Sequence, residues 1–155
     1  MKKASADAML IDGIAEHLMR AFPVFPKKLL KADALQRAHS MPSSQIQILL
    51  LLRDGACSVG DLSRYLGIAK PNVTPLINSL LAAGLVERVR DNADRRVVKV
   101  HLLPAGESKI AALHTSFQHY AAAWADKLSR SEAKELSNAL GTLIRVMANV
   151  SDEQA

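Results

Sequence analysis

The stretch "CSVGDLSRYLGIAKPNVTPLINSLLAAGLVERV", residues 57–89, decides the fold. Ser58 followed three residues later by Asp61 is a box-like helix start, in which each residue satisfies a backbone N–H of the other. Val59, Leu62 and Leu66 then fall on one helical face. Gly67 supplies a sharp turn, and Val73, Leu76, Ile77 and Leu80 repeat at helical spacing beyond it. Gly84 closes this second helix as a left-handed cap. Two short helices joined by a three- to four-residue turn containing glycine form a helix-turn-helix.

Past the second helix the pattern changes to a period of two. Val98, Val100 and Leu102 interleave with Val97, Lys99 and His101, and Asp91-Asn92-Ala93-Asp94 is the turn of a hairpin. This hairpin is expected to be the whole sheet content. Its tip carries Arg88, Arg90, Arg95 and Arg96, an unusual amount of positive charge for one turn.

Outward from this centre the chain reads as helices. Met9, Leu10, Ile14, Leu18 and Phe22 keep helical spacing, Pro23 and Pro26 bend or interrupt that helix, and Leu29–Leu30 resume it. "MPSSQIQILLLLRDG" opens with a cap near Ser43, ends at Gly55, and is apolar all round in its second half, as a central helix must be. Pro104 suits the first position of a helix marked by Ile110, Leu113, Phe117, Trp124 and Leu128. Ser129-x-x-Glu132 announces the last helix, with Leu136, Leu140, Leu143, Met147 and Val150. The fold class is therefore mainly α, a winged helix-turn-helix lobe with one β-hairpin wing plus N- and C-terminal helices. The organisation expected is one domain over 1–155, with the winged helix-turn-helix lobe at 38–103 and terminal helices at 5–32 and 104–150.

The composition agrees with a basic, soluble domain. Of 155 residues, 49 % are hydrophobic, enough for a core, and 20 Lys and Arg against 15 Asp and Glu leave a net charge of +5. No apolar run reaches the ~18–20 residues that span a bilayer, and Asp7, Asp12 and Glu16 break up any leader-like segment at the N-terminus. One cysteine, Cys57, excludes an internal disulfide and fits a reducing cytoplasm.

"GLVERVRDNADRRVVKVHLLPAG", with the helix-turn-helix before it, resembles the MarR family of transcriptional regulators over roughly residues 8–150. The matching positions are Gly84-Leu85-Val86-Glu87-Arg88, Asp94-Arg95-Arg96, Leu102-Leu103 and Gly106. Leu103 stands where the family usually has threonine, and Pro75 where many relatives carry arginine in the recognition helix. The resemblance implies a homodimer whose terminal helices interlock and whose two lobes grip a pseudo-palindromic operator. It also implies a repressor that releases DNA when a small, often phenolic, ligand binds between lobe and dimerisation region.

On the second helix of the motif, Lys70, Pro71, Asn72, Thr74, Pro75 and Asn78 face away from the apolar stripe. They are short, polar or rigid, and suit base edges in a major groove. Asn72 and Asn78 can pair with adenine, Thr74 can meet a thymine methyl or a phosphate, and Lys70 can meet a phosphate. Asn72 has a second reading as the helix cap, which would put Pro75 in the third helical position. A hairpin beside such a helix reaches the adjacent minor groove, narrow and strongly negative over A·T steps. By the family match Arg96 is the inserting residue, and Asp94 orients an arginine by a salt bridge. Arg88, Arg90 and Arg95 contact phosphates or brace the wing. Phe117, Trp124, Leu136, Leu140 and Met147 exceed what a small lobe can bury, so they are read as dimer interface as well as intrachain packing.

Other chemistry finds little support. His17, His39, His101, His114 and His119 lack metal-ligand spacing, and no nucleophile constellation or phosphate-cradling loop occurs, so no catalytic residue, metal or cofactor is expected. Cys57, at the start of a short helix, is either a thiol activated by the helix dipole or a small semi-buried residue. Phe22 and Phe25, at the proline bend, are candidate walls of an effector pocket with the "ILLLL" helix. The partners expected are double-stranded DNA, a second copy of the chain and a small aromatic effector, with no membrane. The competing reading is a winged-helix protein–protein module that does not bind DNA.

Overall fold

The Ser58–Asp61 box forms as the sequence requires. The Ser58 hydroxyl accepts from the Asp61 backbone N–H at 3.1 Å, and the Ser58 N–H donates back to the Asp61 carboxylate at 3.2 Å. From this start the chain runs through the helix-turn-helix, α4 (Val59–Leu66) and α5 (Lys70–Ala82). A three-residue turn separates them. Gly67 adopts φ +63°, and the Ser63 hydroxyl donates to the Ile68 carbonyl at 2.6 Å, which ties the turn to α4.

The computed structural model describes residues 2–25, 31–91 and 94–148. The remaining elements are α1 (Lys2–Ala21), α2 (Ala32–His39), α3 (Ser43–Leu52), β1 (Cys57–Ser58), β2 (Val86–Arg90), β3 (Val98–Leu102), α6 (Pro104–Ala125) and α7 (Arg130–Met147). Residues 1–40 and 41–155 form two compact units. In the first, α1 ends before Pro23. The resumption expected at Leu29–Leu30, together with Pro26, lies outside the described residues.

In the second unit the core is a single apolar cluster. Ile46, Ile48, Leu49 and Leu52 of α3 meet Leu62 of α4, Val73, Ile77 and Leu80 of α5, Val86 of β2, Val100 of β3 and Leu113 of α6. This is why α3 is apolar on every side: α4, α5, β3 and α6 all pack on it.

The sheet corrects one expectation. It has three antiparallel strands in the order β1-β3-β2, not the hairpin alone. β1 is two residues long and pairs Cys57 with Val100 and Ser58 with Lys99. Two residues carry no readable alternation, so only the partner strand reveals them. Cys57 therefore lies in a strand, before the helix rather than at its first turn.

Two helix boundaries, both of α3, also shift, and α5 settles between its two readings. α3 is preceded by Pro42 as its cap position, so Ser43 is the first helical residue and no side chain caps the helix, which ends at Leu52. α5 starts after Ala69, so Asn72 is not its cap. Pro75 consequently lies in the helix interior, where the N–H it lacks would have reached the Pro71 carbonyl. Gly84 takes φ +66°, and Ser129 and Glu132 complete the second capping box.

Candidate nucleic-acid interface

The outward face of α5 is built by the same periodicity that buries Val73, Ile77 and Leu80. Lys70, Pro71, Asn72, Thr74, Pro75 and Asn78 are all exposed. The Thr74 hydroxyl donates to the Lys70 carbonyl at 3.2 Å, one turn back, and keeps its acceptor capacity. Lys70 also leans across the start of α4, its Cε 3.5 Å from where a Gly60 side chain would begin. Its ammonium is thus placed where the two helices of the motif approach each other.

The wing is tied at its tip by two aspartates. The Asp91 N–H donates to the Val97 carbonyl at 2.9 Å, and Asp91 Oδ1 accepts from the Asp94 N–H at 3.1 Å. Lys99 Nζ lies 2.5 Å from Asp91 Oδ2, and this ion pair raises the lysine above its ordinary value. Arg96 forks onto Asp94, with Nε and Nη2 3.1 and 3.2 Å from the two carboxylate oxygens. That hydrogen bonding holds the Asp94 carboxyl below its ordinary value, so the pair stays ionised. Arg90 and Arg95 are exposed on the same hairpin.

One contact joins helix and wing that the sequence did not signal. Arg88 Nη2 of β2 donates to Asn78 Oδ1 of α5 at 2.9 Å. The two residues are ten apart and belong to different elements, so no periodicity marks the pair.

Cys57 is half-buried, and its Sγ lies 3.7 Å from the Gly55 carbonyl. Burial, helped by the Asp61 charge, pushes its thiol up, against a smaller opposing effect of Lys99. Phe22 is exposed and Phe25 half-buried in the N-terminal unit. In the other unit, a groove of about 780 Å³ lies between α3 and α6, lined by Leu50, Arg53, Glu107, Ile110, His114 and Phe117 among others. Arg53 at its edge is held by Asp54 at 3.0 Å. Among the described residues, no three His, Cys, Asp or Glu side chains gather as a metal ion needs, and no helix is long and apolar enough to cross a membrane.

A glycine-hinged helix pair, a polar second helix and a three-stranded sheet with a basic two-stranded arm define a winged helix-turn-helix protein. Residues 39–97, the helix-turn-helix and most of the wing, match the model of the MarR family. It is 40 % identical over 79 residues to the uncharacterized HTH-type transcriptional regulator YsmB of Bacillus subtilis, an alignment covering 51 % of this chain and 54 % of that one. The chain thus spans about half the length of that curated relative. It resembles the crystal structure of the transcriptional regulator Tm0710 from Thermotoga maritima at 26 % identity and TM-score 0.64, covering 88 % of this chain and 95 % of that one. It also resembles NadR in complex with 4-hydroxyphenylacetate, at 24 % identity and TM-score 0.65, over 84 % of this chain and 91 % of that one.

Proposed function

We propose that the protein is a dimeric, sequence-specific DNA-binding repressor that leaves a pseudo-palindromic operator when a small ligand binds. The carrying observation is the bipartite polar surface: the exposed α5 face and the arginine wing are bonded to each other through Asn78 and Arg88. In this reading Lys70, Pro71, Asn72, Thr74 and Pro75 lie in the major groove, and Arg96, held by Asp94, enters the adjacent minor groove. Arg90 and Arg95 meet phosphates.

Dimerisation is supported by apolar side chains left in the open. Met9, Leu10, Ile14, Leu18 and Met19 of α1 are each at least 60 % exposed, and Ile144 and Met147 of α7 are exposed too. Surfaces of this kind mark a protein interface. Along the α6–α7 junction, Trp124, Leu128, Leu136 and Leu140 line a shared cleft, so part of the same stripe serves intrachain packing. A two-fold pair of lobes would reach successive grooves about 34 Å apart.

For the effector, the α3–α6 groove offers apolar walls from Leu50, Ile110 and Phe117 and polar groups from Arg53, His114 and Thr115. This mix suits a small aromatic acid, and the similar NadR structure holds one, 4-hydroxyphenylacetate. Footprinting of the DNA flanking the protein's own gene, with and without 4-hydroxyphenylacetate, tests the reading. Protection of a pseudo-palindrome that the acid relieves supports it. No protection, even in dilute buffer, rejects the DNA-binding reading in favour of a protein-binding winged helix. Protection that the acid leaves intact rejects this effector.

A further inference from the structure

The Arg88–Asn78 hydrogen bond restricts what Asn78 can read. A guanidinium only donates, so its partner on the carboxamide must be the oxygen, and the bond at 2.9 Å fixes which way the amide is turned. The group left over is the Asn78 Nδ2–H₂, a donor, next to the remaining N–H groups of Arg88. Both side chains are exposed, and Asn78 comes after Pro71, Thr74 and Pro75 at spacings of seven, four and three, which keeps it on the outward face of α5.

A free asparagine reads adenine by accepting from N6 and donating to N7 side by side. Here the accepting half is committed to Arg88, and an adenine would bring its N6 donors against a guanidinium, donor facing donor. Guanine instead shows two adjacent acceptors, N7 and O6, in the major groove. We propose that Arg88 and Asn78 act as one donor-only pair selecting guanine at one position of each half-site. Arg88 is the positioning residue that sets the preference of Asn78. This inference rests on the DNA-binding reading above and adds a base identity to it.

The test is enrichment of bound duplexes from a pool randomised over about two helical turns. The full chain is compared with Arg88→Met, Arg88→Lys and Asn78→Ala, each checked by a thermal melt. The parent is expected to favour guanine about tenfold at one position of each half-site. Arg88→Met frees the amide oxygen and moves that position to adenine, with the other positions kept. Arg88→Lys, still donor-only, retains guanine, and Asn78→Ala levels the position. An unchanged guanine in Arg88→Met, with affinity lowered equally at all sequences, overturns the inference and leaves Arg88 a phosphate contact. If Arg88→Met does not fold, guanine retained by Asn78→Ala overturns it by itself. A parent that enriches no duplex overturns the DNA-binding reading, and this inference with it, a result distinct from an unchanged motif.

Discussion

Arg96 straddles Asp94. Its Nε and Nη2 meet the two carboxylate oxygens at 3.1 and 3.2 Å, and its backbone N–H donates to the first of them at 3.0 Å. The arginine is nevertheless 91 % exposed, so the aspartate fixes the direction of a cation that stays available to a partner. An exposed pair of this kind adds little to stability. Its value is orientation. Arg96→Ala should therefore weaken duplex binding by about 1–3 kcal/mol, as loss of a groove-reading arginine does. The melting free energy should move by less than about 0.5 kcal/mol. Fluorescence anisotropy on a bound duplex and a thermal melt of the same variant measure the two. Equal losses in both would assign Arg96 to the fold instead.

The Ser58–Asp61 box makes stability depend on acidity. The Ser58 hydroxyl, chiefly, holds the Asp61 carboxyl below its ordinary value of 3.8, and the Arg64 guanidinium 3.1 Å away acts in the same direction. The folded chain thus keeps this charge to lower pH than the unfolded chain. The stability it contributes is complete above the unfolded value and is lost as pH falls through the folded one. Ser58→Ala should cost about 1 kcal/mol at neutral pH. That cost should shrink when urea midpoints are taken at progressively lower pH through the carboxylate range. A cost independent of pH would assign the loss to the hydrogen bond that the Ser58 hydroxyl accepts from the Asp61 backbone N–H, not to the carboxylate.

Gly106 sits in the first turn of α6 against the backbone of Leu85, where a Cβ would come within 2.2 Å of the carbonyl oxygen. The same carbonyl accepts the Leu103 N–H at 3.0 Å, so it cannot move away freely. Alanine normally gains about 1 kcal/mol over glycine within a helix. Here the clash reverses the sign, and Gly106→Ala should destabilise by about 1–3 kcal/mol. Calorimetry would show a Tm lowered by at least about 2 °C. An unchanged or raised Tm would mean that the Leu85 backbone and α6 part easily.

Cys57 should be a slow thiol. Burial holds it protonated, and the nearby Asp61 charge reinforces this. Its reaction with a disulfide reagent at neutral pH is expected to be about tenfold or more slower in the native chain than in urea. A native rate equal to the unfolded one would show an accessible thiolate and reopen a redox role.

Much of this was written locally. Ser58 and Asp61, Gly67, Gly84, Pro104, Ser129 and Glu132 each dictate backbone geometry within four residues of themselves, and all took the places their spacing required. The start of α5 was not so marked. Its position at Lys70 agrees with the polar outward face read from there. Ala69 carries no capping group, however, and Asn72 offered a rival cap, which only the packing of Val73 and Ile77 on the core removed. Strand β1 left no trace for a similar reason, since two residues become a strand only when β3 supplies their hydrogen bonds.

By itself, then, the order of residues settled the types of the longer elements, the left-handed turns, the apolar faces and the basic character of the wing, because those depend on neighbours a few positions away. The tertiary structure alone decided that Arg88 spends its hydrogen bond on Asn78, that Gly106 must admit the Leu85 carbonyl, and that α3 and α6 leave a groove between them. Each of these joins groups from separate elements, and distance in space between such groups is set by packing, which no short-range pattern encodes.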